Sequence, residues 1–335
     1  MQGLVTVFGG SGFVGSQVVR ALAKSGARIR VAVRNPGRGY RLRMLGDVGQ
    51  IEVAQANIRD EPSIYRALEG AQACVNAVGV LFESGRQRFD DLHAAGAGLL
   101  ARTAVSAGAD RFVQISAIGA DPRSAAAYAR SKAAGEAAVR EAAPFATILR
   151  PSVVFGPEDQ FFNRFASMAG LAPALPLIGG GGTRFQPVFV GDVAEAVARA
   201  LDDPAVPGRT YELGGPSVYT FRALMELMLA EIGKSRALAP IPFPIAGVIG
   251  KAGDFLAKAG LAPPITADQV EMLKSDNVVT PGALSLSDLG IAPQALEPII
   301  GTYLYRYRRG GQYAELSAVA AAMPPRSQSS GAAPT

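Results

Sequence analysis

Apolar and polar positions follow two alternating rhythms along the first 150 residues. Short β-branched runs at 4–8, 29–33, 51–53, 73–78, 112–115 and 147–149 read as buried strands. Ala- and Leu-rich stretches at 14–25, 62–69, 90–107 and 128–142 lie between them and read as helices. Strand and helix in alternation predict an α/β fold: a doubly wound parallel sheet of Rossmann type, with helices on both faces. Beyond residue 155 the rhythm loosens. A loop of four glycines at 179–182 precedes a strand expected at 186–190, a helix from Asp192 to Leu201, a strand at 210–213 and a helix over 220–232. The expected organisation is a sheet domain over 1–155 and a smaller α/β lobe over 156–315, interleaved with the sheet domain. A Ser/Ala/Pro/Gly-rich tail over 316–335 is expected to be partly disordered.

Composition narrows the function classes. With 49% apolar and 18% charged residues in 335, the chain can bury a sizeable core, which excludes global disorder. One cysteine, Cys74, and one histidine, His93, exclude a disulfide framework and argue against a metal site. Cys74 sits in an apolar strand and reads as an inert core thiol, and His93 as a packing or helix-surface residue. The net charge of +5 is spread along the chain and not gathered in a stripe, so no nucleic-acid partner is expected. No apolar run reaches the length of a membrane span. Leu4–Phe8 already reads as a strand, leaving no room for a signal or transit peptide, so a cytoplasmic location is expected. The Pro-rich apolar segment 239–265 reads either as a peripheral membrane- or partner-facing surface or as a covering layer.

The strongest chemical signal follows the first strand. Glycines at 9, 12 and 15 form G-x-x-G-x-x-G at a strand-to-helix turn, where backbone can approach a pyrophosphate and a helix N-terminus can face it. Gly9, Ser11, Gly12, Phe13 and Val14 would hold adenosine and phosphates. After the second strand, Arg34 stands where an acid would hold the ribose 2′-hydroxyl of NAD, and its guanidinium suits a 2′-phosphate; the expected cofactor is NADP(H) in preference to NAD(H). Asn57 would meet the adenine edge or cap a turn, and Ala77, Val78 and Gly79 would line the cofactor at the end of the fourth strand. Tyr128 and Lys132 form Y-x-x-x-K on one helical face, where an ammonium beside a phenol would lower the tyrosine pKa and also reach ribose hydroxyls.

Together these residues resemble the short-chain dehydrogenase/reductase superfamily over residues 1 to about 160, with Arg150-Pro151-Ser152-Val153-Val154-Phe155-Gly156 similar to its extended and atypical members. The resemblance implies that Pro151 to Val154, Val153 included, line the nicotinamide. It also implies a Ser or Thr near the tyrosine to polarise a carbonyl. Ser116 lies one place early for that role and Ala117 occupies the usual position, a departure that bears on turnover. A narrower resemblance is carried by Gly156-Pro157-Glu158-Asp159-Gln160-Phe161-Phe162-Asn163-Arg164-Phe165-Ala166-Ser167-Met168, by Gln186-Pro187-Val188-Phe189-Val190-Gly191-Asp192-Val193, by Met44–Gln50 and by Asp288–Ile291. These resemble the nucleotide-binding accessory subunit of respiratory complex I, the NADH:ubiquinone oxidoreductase, over roughly residues 4 to 315. That resemblance implies a tightly bound NADPH that is not turned over, and complex I subunits near the quinone-site region as partners. With no presequence expected before Leu4, the member is expected to be bacterial and peripheral on the cytoplasmic face of the inner membrane.

Two rivals remain open on the residues alone. One is a free-standing NAD(P)H-dependent reductase, dehydrogenase or epimerase, with Tyr128 as general acid, Lys132 as its partner and Ser116 as carbonyl donor. The other is a redox sensor whose surface changes with NADPH occupancy. Of the remaining polar groups, Glu158 and Asp159 read as a loop or helix cap, and Tyr303 to Arg309 as an interface or a solvated helix end.

Overall fold

A computed structural model of the chain describes residues 3–259, 261 and 263–311; the tail expected at 316–335 lies outside the described residues. Six strands open the fold: β1 (Leu4–Phe8), β2 (Arg28–Val33), β3 (Ile51–Gln55), β4 (Ala73–Asn76), β5 (Arg111–Ile115) and β6 (Thr147–Pro151). Four helices alternate with them: α1 (Phe13–Lys24), α2 (Glu61–Leu68), α3 (Gly96–Ser106) and α4 (Ala127–Ala142). All the strands pair in parallel, in the order β3-β2-β1-β4-β5-β6, and Thr210–Leu213 adds a seventh strand beside β6. This is the doubly wound sheet that the alternation predicts.

Apolar cores fill both faces of the sheet. On one side Val5, Val7 and Val31 pack with Val18, Val19 and Leu22 of α1 and Val193 and Val197 of the helix Val190–Asp202. On the other, Phe8, Cys74, Phe112 and Ile148 pack with Ile64, Leu68 and Leu100. The strand order reverses between β1 and β4, and their carboxyl ends therefore open a crevice at the switch point. A third core, around Phe155, Phe162, Phe221, Met225 and Tyr303, is built from residues beyond β6.

Departures from the expected elements have local causes. The strand expected at 186–190 is two short pieces, Arg184–Phe185 and Val188–Phe189, separated by Gln186-Pro187; Pro187 has no N–H to give a ladder, and Val190 already opens the next helix. The helix expected over 90–107 begins as a π-helical turn, Asp90–Ala95, before α3. The Pro-rich stretch holds regular structure. Ala237–Ile241 pairs in parallel with Ala174–Ile178, and Phe243–Lys258 is a helix with Pro244 in its first turn, where the missing N–H costs nothing. Of the segment Tyr303 to Arg309, Tyr303 and Leu304 are buried and Tyr305, Arg306 and Arg309 are exposed; Arg306 binds Asn163 and the Pro157 carbonyl, and Arg308 binds Glu231. Asp159 is the cap the sequence suggests. Its carboxylate accepts from Asn163 N–H at 3.1 Å and from the Tyr303 hydroxyl at 2.6 Å.

Candidate functional site

The crevice is lined from both sides of the switch point. Gly9 leaves β1 at φ +78°, and a Cβ there would come within 2.8 Å of the Ala77 carbonyl, so the turn after β1 lies directly on the chain leaving β4. A Cβ on Gly15 would run into the Gly9 carbonyl, which is why α1 can start so close beneath the turn. Gly12 caps α1 and no side chain bonds its first turn, so the backbone N–H groups of Phe13 and Val14 remain available to an anion. Ala77 and Val78 continue from β4, with Val78 N–H donating to the Asn76 side chain at 3.1 Å. Arg34 is exposed just past β2 and its guanidinium donates to Gln87 at 3.2 Å. Gln87 in turn joins Gly79, Val80 and Gln160 around a cavity of about 320 Å³. A larger groove, about 680 Å³, is lined by Asn57, Arg59, Arg86 and Arg88. Asn57 itself turns back to accept from Arg59 N–H at 3.2 Å, the capping arrangement that the sequence left open.

Tyr128 and Lys132 share the inner face of α4, with the ammonium 5.7 Å from the centre of the phenol ring. Lys132 is buried, reaches the Ile115 carbonyl at 3.4 Å, and lies 3.5 Å from where a Cβ on Gly79 would stand. Here one expectation is corrected. Lys132 does not lower the tyrosine: burial, and then the charge of Asp268, push Tyr128 up to about 12. Lys132 is itself pushed down to about 8 by burial, against the opposing charge of Glu136. Ser116 is also committed. Its hydroxyl donates its one proton to the Glu136 carboxylate at 2.6 Å, and Glu136 is gripped by Arg150 through two bonds of 2.7 and 2.8 Å. The serine expected to polarise a carbonyl therefore serves a buried ion pair.

Residues 5–214 match the NAD dependent epimerase/dehydratase family. The chain belongs to that family. It is 38% identical over 316 residues to the mitochondrial NADH dehydrogenase [ubiquinone] 1 alpha subcomplex subunit 9 of Arabidopsis thaliana, covering 92% of this chain and 79% of the relative. To the 40 kDa subunit of the NADH-ubiquinone oxidoreductase of Neurospora crassa it is 31% identical over 312 residues, covering 92% and 80%. A ceramide reductase of Caulobacter vibrioides is 34% identical over 177 residues, covering 53% of this chain and 54% of the relative. Among solved structures, an NADPH-dependent quinone oxidoreductase of Escherichia coli superposes with a TM-score of 0.71 at 21% identity, covering 89% of this chain and 99% of its own, a likeness of fold.

A nicotinamide dinucleotide, the ligand of this epimerase/dehydratase fold, suits the residues present. The glycine cradle would be filled by any side chain, and the open first turn of α1 offers donors for phosphate. Pro151 ends β6, and the chain after it is held by a residue that the sequence did not single out. Asn277 accepts from the Ser152 hydroxyl at 2.7 Å and from Val153 N–H at 2.9 Å, fixing the segment expected to line the nicotinamide.

Two further residues, Glu136 and Asp268, were missed, and His93 has surroundings that its sequence does not reveal. His93 is 2% exposed and stands beside the tyrosine and lysine. Its Nε2 accepts from Val80 N–H at 3.1 Å. Its Nδ1 lies 3.0 Å from the Ser131 hydroxyl, which donates to the Tyr128 carbonyl at 2.8 Å. Because that hydroxyl's proton is spent, Nδ1 carries the hydrogen and the ring is neutral. Burial first, and then the charge of Lys132, lower its pKa to about 3. Packing, one of its two expected readings, is what the structure shows. Glu136 could have been found, since it lies four residues past Lys132 on the same helical face. Asp268 could not. It comes from the helix Ala267–Met272, and its carboxylate accepts from the N–H groups of Ala127 and Tyr128, capping α4 from 140 residues away in sequence.

Proposed function

We propose that this protein is a nucleotide-holding accessory subunit of a bacterial respiratory complex I, in which NADP(H) locks the fold and is not turned over. The observation that carries the reading is the pairing of an open nucleotide cradle with a serine that is already committed. The glycine turn is open, whereas the Ser116 hydroxyl, the carbonyl donor that a reductase would need, gives its proton to Glu136. The mitochondrial relatives, whose names place them in the NADH dehydrogenase, support the partner assignment.

In this reading Gly9, Ser11, Gly12, Phe13 and Val14 receive the phosphates and Arg34 the 2′-phosphate. Asn57 borders the adenine, Ala77, Val78 and Gly79 border the sugar chain, and Pro151 and Val153 border the nicotinamide. Tyr128 and Lys132 hold the nicotinamide ribose. A ligand bound only by the folded state stabilises it by mass action, so a cleft without turnover is retained for its contribution to stability. The partners are complex I subunits near the quinone-site region, met from the cytoplasmic face. No helix among the described residues is long and apolar enough to cross a membrane, in keeping with a peripheral position.

The direct test is to purify the protein from its source, denature it and identify the released nucleotide. Stoichiometric NADPH or NADP⁺ that survives dilution supports the reading; empty protein, or NAD(H), opposes it. A second reading, a carbonyl reductase, draws on the ceramide reductase relative and on the Tyr128–Lys132 pair. Tyr128→Phe separates the two: a reductase loses turnover, whereas a subunit keeps nucleotide and assembly.

A further inference from the structure

The helix Phe243–Lys258 is amphipathic in an inverted sense. Its inward face is a line of small residues, Ala246, Gly250, Gly253 and Ala257, all buried. Their size lets the helix lie flush on the segment 265–267: a Cβ on Gly250 would come within 2.7 Å of the Ala267 backbone, and one on Gly253 would strike the Ile265 carbonyl. The large apolar residues consequently point outward. Ile245 is 56% exposed, Val248 70%, Ile249 40% and Phe255 74%, with Leu256 beside them and Leu261 just beyond the helix. At about 100° per residue these outward positions occupy one arc of roughly 120°. Lys251 and Lys258 border that arc on one edge, are exposed, and take part in no ion pair among the described residues. The one acid of the helix, Asp254, faces inward and accepts from Ala267 N–H at 3.3 Å.

We propose that this helix is a docking surface for an anionic lipid bilayer, lying in the plane of the interface with Val248 and Phe255 inserted and Lys251 and Lys258 among the headgroups. At 16 residues the helix is too short to span a bilayer but long enough to lie along one. An arc of exposed apolar side chains, with cations along one border that take part in no ion pair among the described residues, matches the requirements of a headgroup boundary, where chains sink into hydrocarbon and ammonium groups stay wet. The occupant is thus a lipid surface of negative charge. The site stands on its own geometry and does not depend on the complex I reading. A protein that bound vesicles but never co-migrated with the complex would overturn that reading and leave this one intact.

The test exploits the absence of tryptophan from the chain. Phe255→Trp places a single tryptophan, excited apart from the nine tyrosines at the red edge of absorption, on the arc of the full-length protein, to be titrated with vesicles of phosphatidylcholine alone or mixed with phosphatidylglycerol. The expected result is a blue shift with the mixed vesicles, quenching by brominated acyl chains, and weaker binding to the neutral ones. Lys251→Gln and Lys258→Gln should each weaken binding by about fivefold at low salt. Val248→Asp should abolish the shift while nucleotide binding, read separately, is kept. Emission that stays at the wavelength of an exposed indole with both vesicle types overturns the proposal. So does a concentration-dependent dimer that Val248→Asp dissolves, because the face would then be an interface between copies of the chain.

Discussion

His93 offers a prediction that can be worked through from the structure. Protonation would place a charge on a ring that is 2% exposed, turn the Nε2 acceptor of Val80 N–H into a donor, and set it near the Lys132 ammonium. These effects hold the folded pKa at about 3, against 6.5 for an unburied imidazole. The unfolded chain therefore takes up the proton first. Stability is complete above about pH 6.5 and falls as the pH drops from there towards 3. Between pH 7 and pH 5 the loss from this one group is about 2 kcal/mol, a substantial part of a typical folding free energy. Urea unfolding of the wild type and of His93→Gln, each at pH 7 and pH 5 and at one nucleotide concentration, isolates the contribution, because other titrating groups cancel in the double difference. The wild type should lose about 2 kcal/mol more than the variant on acidification. Since the chain has one histidine, its ring proton resonance can also be followed directly and should stay unshifted down to pH 4. Equal losses in the two proteins, or a resonance with a midpoint near 6.5, would refute the buried neutral imidazole.

Other perturbations test other parts of the site. Gly9→Ala forces a side chain onto a left-handed backbone and against Ala77, and should lower nucleotide affinity by about tenfold or more in a calorimetric titration. Arg34→Glu should lower the NADPH to NADH affinity ratio by at least about tenfold, read by fluorescence titration with each nucleotide. Glu136→Gln leaves Arg150 with Glu212 as its remaining carboxylate and weakens the hold on Ser116, and should cost about 1–2 kcal/mol in chemical denaturation. Asp268→Asn removes the charged cap of α4, and should lower the Tyr128 pKa, measured by ultraviolet titration, because the carboxylate is one of the two causes that raise it.

The sheet was legible because its signals are local. Alternation of β-branched and Ala-rich runs needs only neighbours to be read, and the glycines at 9, 12 and 15 are confined to one turn whose geometry permits little else. The Tyr128–Lys132 cluster was legible in membership but not in state. Tyr128 and Lys132 lie together as their spacing requires, yet the sign of the tyrosine shift depends on burial and on Asp268, which the chain supplies from a distant helix. Ser116 could be placed in sequence, but its commitment depends on how Glu136 and Arg150 meet in the core. The segment 239–265 hid a strand and a helix because its prolines read as breakers. Pro240 sits in a two-stranded sheet and Pro244 in a first helical turn, two places that tolerate a missing N–H.

We propose that the cleft serves an assembly and not a turnover. That role is tested most directly by native-size fractionation of gently solubilised membranes from the source cells, following this chain and NADH:quinone activity together. The expected result is co-migration with that activity, far above the size of a monomer or dimer, with NADP(H) recovered from the same fractions. Migration only as a small species separate from the activity would contradict it.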